Sequence, residues 1–246
     1  MKEITGYKFT ATMKKTFSTL FLLLAFVGFI SQARAQAVEG NGKFKTETRA
    51  VSTFTSLVIS GGFEVELTQG TQESLKLEAE ENVLPLIEST VQNGTLTIKI
   101  KKGLKSAKRL KAYVTVRDLK KLQLAGGIKL YTTNTITGSA LALEFAGGIN
   151  AVMALKVKDL TADFAGGTKV TFSGTADKVT LDLAGATNLK ALELKTNYLT
   201  LDAAGASSAQ VNVAKELTVD AAGIVTVDYK GSPKVHHSGM GKVRPI

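Results

Sequence analysis

The stretches that decide the fold are LQLAGG at 122–127, LEFAGG at 143–148, ADFAGG at 162–167, LDLAGA at 181–186, LDAAGA at 201–206 and VDAAGI at 219–224. Each carries alternating apolar and polar residues into an Ala-Gly pair. The glycines Gly126, Gly147, Gly166, Gly185, Gly205 and Gly223 follow at spacings of 21, 19, 19, 20 and 18 residues. A period of two is a strand signature, not a helical one. It resumes after each turn: four residues beyond each glycine stand Leu130, Ala151, Val170, Leu189, Ala209 and Val227, all apolar. A unit of about 20 residues cannot bury its own apolar face, so successive units must stack, each adding about 4.8 Å along one axis. The predicted fold is all-β, a β-solenoid with rungs of about 20 residues, and a right-handed parallel β-helix is the hand expected. The Ala column is expected to line a tight interior corner and the Gly column to supply its positive φ or close backbone approach. Propeller blades are longer, and the Asn or Cys ladder of leucine-rich repeats is missing.

Outward from the repeats the chain is less regular. Ser60-Gly61-Gly62 copies the unit 65 residues before Gly126, and Asn93-Gly94 between alternating residues signals a tight hairpin. Residues 36–121 are expected to form an irregular N-terminal β-section with a basic junction, 122–230 the regular rungs, and 231–246 a C-terminal cap or tail. Ser238-Gly239 reads there as a last degenerate unit, with Lys234, Lys242, Arg244 and Pro245 blunting the edge. Residues 1–35 read as a removable signal peptide: Lys14 and Lys15, an apolar run from Phe17 to Ile30, and Ala33-Arg34-Ala35 as the cleavage site. That run is shorter than the roughly 18 to 20 residues that span a bilayer, so no integral membrane anchor is expected after cleavage.

Charge and composition exclude several functions. There is no Cys, which removes thiolate metal sites and cysteine nucleophiles. The formal charge of +10 becomes +6 once the signal is set aside. Residues 36–98 hold 4 basic and 9 acidic groups (−5), 99–121 hold 10 and 1 (+9), and 122–246 hold 12 and 10 (+2). The basic run of Lys99, Lys101, Lys102, Lys105, Lys108, Arg109, Lys111, Arg117, Lys120 and Lys121 could meet an envelope polyanion such as acidic glycan or lipopolysaccharide phosphate, or simply keep sheet edges apart. Tyr113 alone is interleaved with it, so no single-strand stacking platform exists, and nucleic acid is not an expected partner.

Two outward columns climb the rungs: Thr161, Thr180, Thr200 and Thr218, and two residues on, Asp163, Asp182, Asp202 and Asp220, with Glu144 and Gln123 below. They make either a glycan- or cation-binding strip or a solvated face built on strand propensity. The calcium spacing GGxGxD is missing. His236-His237 lack companion ligands, so no metal or other cofactor is expected. No G-x-S-x-G occurs, and the AGG units do not continue into G-K-[ST]. Asn93-Gly94-Thr95 fits a glycosylation sequon, which the hairpin explains more simply.

FTSLVISGGFEVELTQG (54–70), VQNGTLTIKI (91–100), the junction VTVRDLKKLQLAGG (114–127) and the AGG or AGA rungs together resemble the putative auto-transporter adhesin, head GIN domain family over about residues 50–240. The resemblance implies an exported β-helical protein of the Gram-negative periplasm, outer-membrane surface or extracellular space, adhesin-like and without an established catalytic motif. A translocating barrel is not expected to follow Arg244-Pro245-Ile246. The expected function is a non-catalytic binding or structural envelope protein of unspecified ligand and oligomeric state. The alternatives are a β-helix polysaccharide-degrading enzyme or a self-associating envelope protein with no ligand.

Overall fold

The structure, a computed structural model, describes residues 37–246; the expected signal peptide lies outside them. The chain is all-β and winds into a solenoid of about six turns with rungs about 20 residues apart. Successive turns pair in parallel and in register. Leu122, Leu124 and Gly126 lie opposite Leu143, Phe145 and Gly147, and Asp163, Ala165 and Gly166 lie opposite Asp182, Ala184 and Gly185. A second stack holds Lys129–Thr132 between Glu64–Gln69 and Asn150–Gly166, and a third begins at Ile136, opposite Leu155.

Gly61 joins the glycine column directly under Gly126, although 65 residues separate them. All seven column glycines have positive φ, between 94° and 122°. A Cβ on Gly126 would stand 2.6 Å from the Gly61 carbonyl oxygen, and one on Gly147 would stand 2.6 Å from that of Gly126. The corner therefore requires glycine both for its φ and for the backbone below it. The following glycines, Gly127, Gly148 and Gly167, face open space.

The excursion from residue 70 to 120 closes the lower end. Thr95–Ile100 lies parallel to Ser56–Gly61, and Leu110–Val116 lies parallel to Glu64–Gln69. Antiparallel strands then finish the stack: Ile87–Gln92 on Thr95–Ile100 through the Asn93-Gly94 turn, and Ser74–Glu80 followed by Phe44–Arg49 on Leu110–Val116. At the other end Lys234–Gly239 and Lys242–Pro245 each pair on one side only, with Asn188–Lys230.

The interior is a set of columns. Phe145 and Phe164 stack at 5.0 Å and Phe172 tilts against Phe164 at 6.2 Å, all fully buried. Leu130, Ala151, Val170, Leu189, Ala209 and Val227 are buried as their spacing predicts. In one column the side chains shrink upward, from Phe145 and Phe164 through Leu183 to Ala203. The inward corner residue likewise passes from Phe63 through Ile128 and Ile149 to Thr168, Thr187 and Ser207.

Two expectations are corrected. Ala125, Ala146, Ala165, Ala184, Ala204 and Ala222 are exposed and do not line an interior corner. The two-residue period that turns Asp163 outward turns Ala165 outward as well, and the inward place between them belongs to Phe164. Ser238-Gly239 does continue the stack, but Gly239 lies opposite Ala221, two residues short of the column at Gly223.

Candidate functional site

The Thr and Asp columns stand on one outward face. Thr161, Thr180 and Thr200 are mutually in register, as are Asp163, Asp182 and Asp202, with Glu144 beside Asp163 and Gln123 beside Glu144. All four Asp are exposed, and so are the Thr except the half-buried Thr218. At the top, Thr218 and Asp220 lie opposite His236 and Ser238. At the foot, Glu144 is bound by Lys121 at 2.6 Å, which together with Gln123 outweighs burial and holds its carboxyl below the usual range. The Asp above it take part in none of the ion pairs among the described residues. Because the exposed neighbours two residues on are alanines, the face is flat. A shallow groove of about 520 Å3 runs along it, bordered by Gln123, Glu144, Asp163 and Asp182 on one side and by the alanine ladder on the other.

The basic run does not form one strip. Lys99 and Lys101 reach Glu88 at 3.1 and 3.9 Å, Lys105 reaches Glu39 at 2.6 Å, and Lys120 reaches Asp118 at 3.6 Å. Arg109 binds Glu78, and Lys111 binds Glu66 at 2.5 Å and Glu64 at 3.2 Å. The +9 segment is thus folded against the −5 segment that precedes it. Lys102, Lys108 and Arg117 take no ion pair among the described residues.

Sequence spacing missed the most connected group. On the outer face of the lower end, Tyr113, Glu66 and Tyr131 stand side by side on adjacent strands. Tyr131 donates its hydroxyl to Glu66, and Tyr113 donates to Glu78 at 2.9 Å. Lys76 and Lys111 lie over the Tyr113 ring at 4.1 and 4.8 Å, and Arg109 lies over Phe44 at 4.6 Å. Burial pushes the Glu66 carboxyl up, but the bonds from Lys111 and Tyr131 together outweigh it and bring it below the usual range. Glu78 is lowered chiefly by Arg109 and then by Tyr113. Lys111 is raised by Glu66, and both tyrosines are raised by burial and by the carboxylates they bind. The signal that could have found this group is the alternation of EVE (64–66) and KAY (111–113), which pairs correctly only once the long-range register is known.

His236 stands 4.0 Å from Glu216 at the open end. Among the described residues no three His, Asp or Glu side chains are placed to hold a metal ion.

Comparison with known proteins agrees with this architecture. The family model described as putative auto-transporter adhesin, head GIN domain matches residues 53–233. A putative adhesin from Bacteroides fragilis superposes with a TM-score of 0.78 at 22% identity, covering 85% of this chain and all of that one. A putative adhesin from Parabacteroides merdae gives 0.68 at 20%, covering 86% and 100%. A protein from Parabacteroides distasonis called a putative lipid binding protein gives 0.69 at 19%, covering 85% and 99%. At these identities the likeness shows the fold. No curated protein matches the sequence.

Proposed function

Because the chain belongs to the putative auto-transporter adhesin, head GIN domain family, we propose that it is an exported, non-catalytic binding protein of the cell envelope, and that its flat Thr/Asp face contacts glycan. The observation that carries this reading is the in-register face itself. Asp163, Asp182 and Asp202 recur at one rung spacing, open to solvent above the half-buried Glu144 that Lys121 binds, beside alanines that let a chain-like ligand lie close. Carboxylates accept hydrogen bonds from sugar hydroxyls, and threonine hydroxyls can donate or accept beside them. A polymer with its own repeat can meet such a ladder at several rungs at once, so weak contacts add through multivalency. Turns of nearly equal length build no loop-walled cleft of the kind that catalysis uses, which favours binding over turnover.

The test is retention of the purified protein on a panel of bacterial and host glycans, compared with the triple variant Asp163→Asn, Asp182→Asn, Asp202→Asn. Retention by the wild type that falls about tenfold or more in the variant supports the face as the contact, as expected for several lost charge-assisted bonds. Equal retention of the two proteins, or none by either, overturns it. Protease shaving of intact cells separates display at the surface from residence in the periplasm.

A further inference from the structure

The Thr and Asp columns repeat from turn to turn, but the column beside them does not. Two residues before Thr161, Thr180, Thr200 and Thr218, on the same outward face, stand Asp159, Lys178, Tyr198 and Glu216, with Lys234 opposite Glu216 on the last turn. Tyr198 is the one aromatic side chain among them. It is exposed, and it shares its strand face with Thr200 and Asp202, two and four residues on. A second shallow groove, of about 420 Å3, opens beside it, lined by Lys178, Tyr198, Leu199, Thr200, Glu216 and Thr218.

Tyr198 differs from the tyrosines of the lower end. Tyr113 and Tyr131 are half-buried and give their hydroxyls to Glu78 and Glu66. The Tyr198 hydroxyl has no such partner among the described residues, and over its ring lies only the exposed Lys215 ammonium, at 5.3 Å, a weak contact at a solvated site. Its neighbours in the groove are equally uncommitted. Lys178 takes no ion pair among the described residues, and Glu216 has only the long one with His236 at 4.0 Å.

A pyranose carries C–H groups on the faces of its ring and hydroxyls around its rim. One face can lie on Tyr198, which removes apolar surface of both from water. The rim hydroxyls then meet Thr200 and Thr218, which donate or accept, Glu216, which accepts, and Lys178, which donates. The charges of the Tyr198 column cancel, Asp159 and Glu216 against Lys178 and Lys234, so the Asp ladder leaves the whole face negative. That field repels a polyanion and is indifferent to an uncharged chain. Flatness selects shape as well, because a plane without protruding loops is followed by an extended ribbon of sugars and not by a coiled one.

We infer that Tyr198 is the stacking anchor of the Thr/Asp face, and that the ligand it selects is an uncharged, extended chain of β-1,4-linked pyranoses. This rests on the glycan-binding reading above. It adds the residue that fixes where along the ladder the chain sits, since the ring occurs on one turn of the column.

The experiment is calorimetric titration of the purified protein with β-1,4-linked hexasaccharides of glucose, of mannose and of mannuronic acid, the last differing from the second only in its C6 carboxylates. At least one of the two uncharged chains is expected to bind, and the mannuronate chain at least about tenfold more weakly than that chain at low salt. Tyr198→Ala should weaken the uncharged chain about tenfold, and Tyr198→Phe, which keeps the ring, less than about threefold. Binding by neither uncharged chain, or equal affinity of the wild type and Tyr198→Ala, overturns the anchor. Equal losses in Tyr198→Ala and Tyr198→Phe overturn stacking, and mannuronate bound as tightly as the uncharged chain overturns the choice of ligand. If Tyr198→Ala keeps full affinity while the triple variant of Asp163, Asp182 and Asp202 loses it, the Asp face stands and the anchor falls. If neither uncharged chain binds, the anchor falls and the Asp face is still decided by retention on the wider glycan panel.

Discussion

The lower end and the regular turns handle charge in opposite ways. Around Leu110–Val116 nearly every cation meets a carboxylate on a neighbouring strand, so the most basic segment of the sequence ends as a network of Lys111, Glu64, Glu66, Glu78 and Arg109. In the turns from Lys129 to Asp202 the formal charges cancel, yet Asp163, Asp182 and Asp202 keep to one face, while Lys129, Lys156, Lys169 and Lys178 lie in other columns and take no ion pair among the described residues. A net charge therefore says little about which surface is electrically active. Pairing depends on which strands become neighbours, and a parallel stack makes neighbours of equivalent residues, so like stands beside like.

The two regions also differ in how they tolerate change, and the largest expected effect tests this in the turns. Gly126→Ala should destabilise the protein by about 3 kcal/mol, from a strained φ and a clash with the Gly61 carbonyl, lowering Tm by about 10 °C. Gly127→Ala, one residue on, faces open space and should move Tm by less than about 2 °C. Ala186 already fills the equivalent place in a higher turn. Thermal melts of both variants decide, and equal losses would mean that the corner is not set by the Gly-on-Gly contact.

A smaller effect belongs to the paired region. Glu78 is held below the ordinary carboxylate range by Arg109, so the stability it contributes is complete above that range and is lost as pH falls through the depressed folded value. Between pH 7 and pH 3 the Tm of Glu78→Gln should therefore fall about 3 °C less than that of the wild type. Parallel slopes would separate the ion pair from acid sensitivity. The smallest effect reverses the sign: Asp182→Asn relieves a like-charge ladder and should raise Tm by about 1 °C at low salt and not at 1 M salt.

The turns were legible because a column of equivalent residues writes itself into the sequence as a spacing. Gly126 through Gly223, the buried series from Leu130 to Val227, and the Asn93-Gly94 hairpin all follow from local pattern alone. The alanine column was misplaced because small size suggested a crowded interior, whereas strand period put it outside; Thr168, Thr187 and Ser207 fill the inward corner instead. The Lys111–Glu66–Tyr131 group lay beyond reach for another reason. Its members are separated by an excursion of the chain, and only the register of Glu64–Gln69 between its two neighbours brings them together. Gly239 misled similarly: the dipeptide matched, but the register at the open end runs two residues short.

The glycine corner has a consequence for how such a molecule changes over generations. Turns as alike as those of Gly166 and Gly185 meet their neighbours through the same backbone contact, 3.0 Å from a would-be Cβ to the carbonyl below in both. Duplicating or dropping one of them poses no new packing problem and shifts everything above it by about 4.8 Å. Length is therefore the property most readily altered by recombination, whereas each corner glycine resists point substitution.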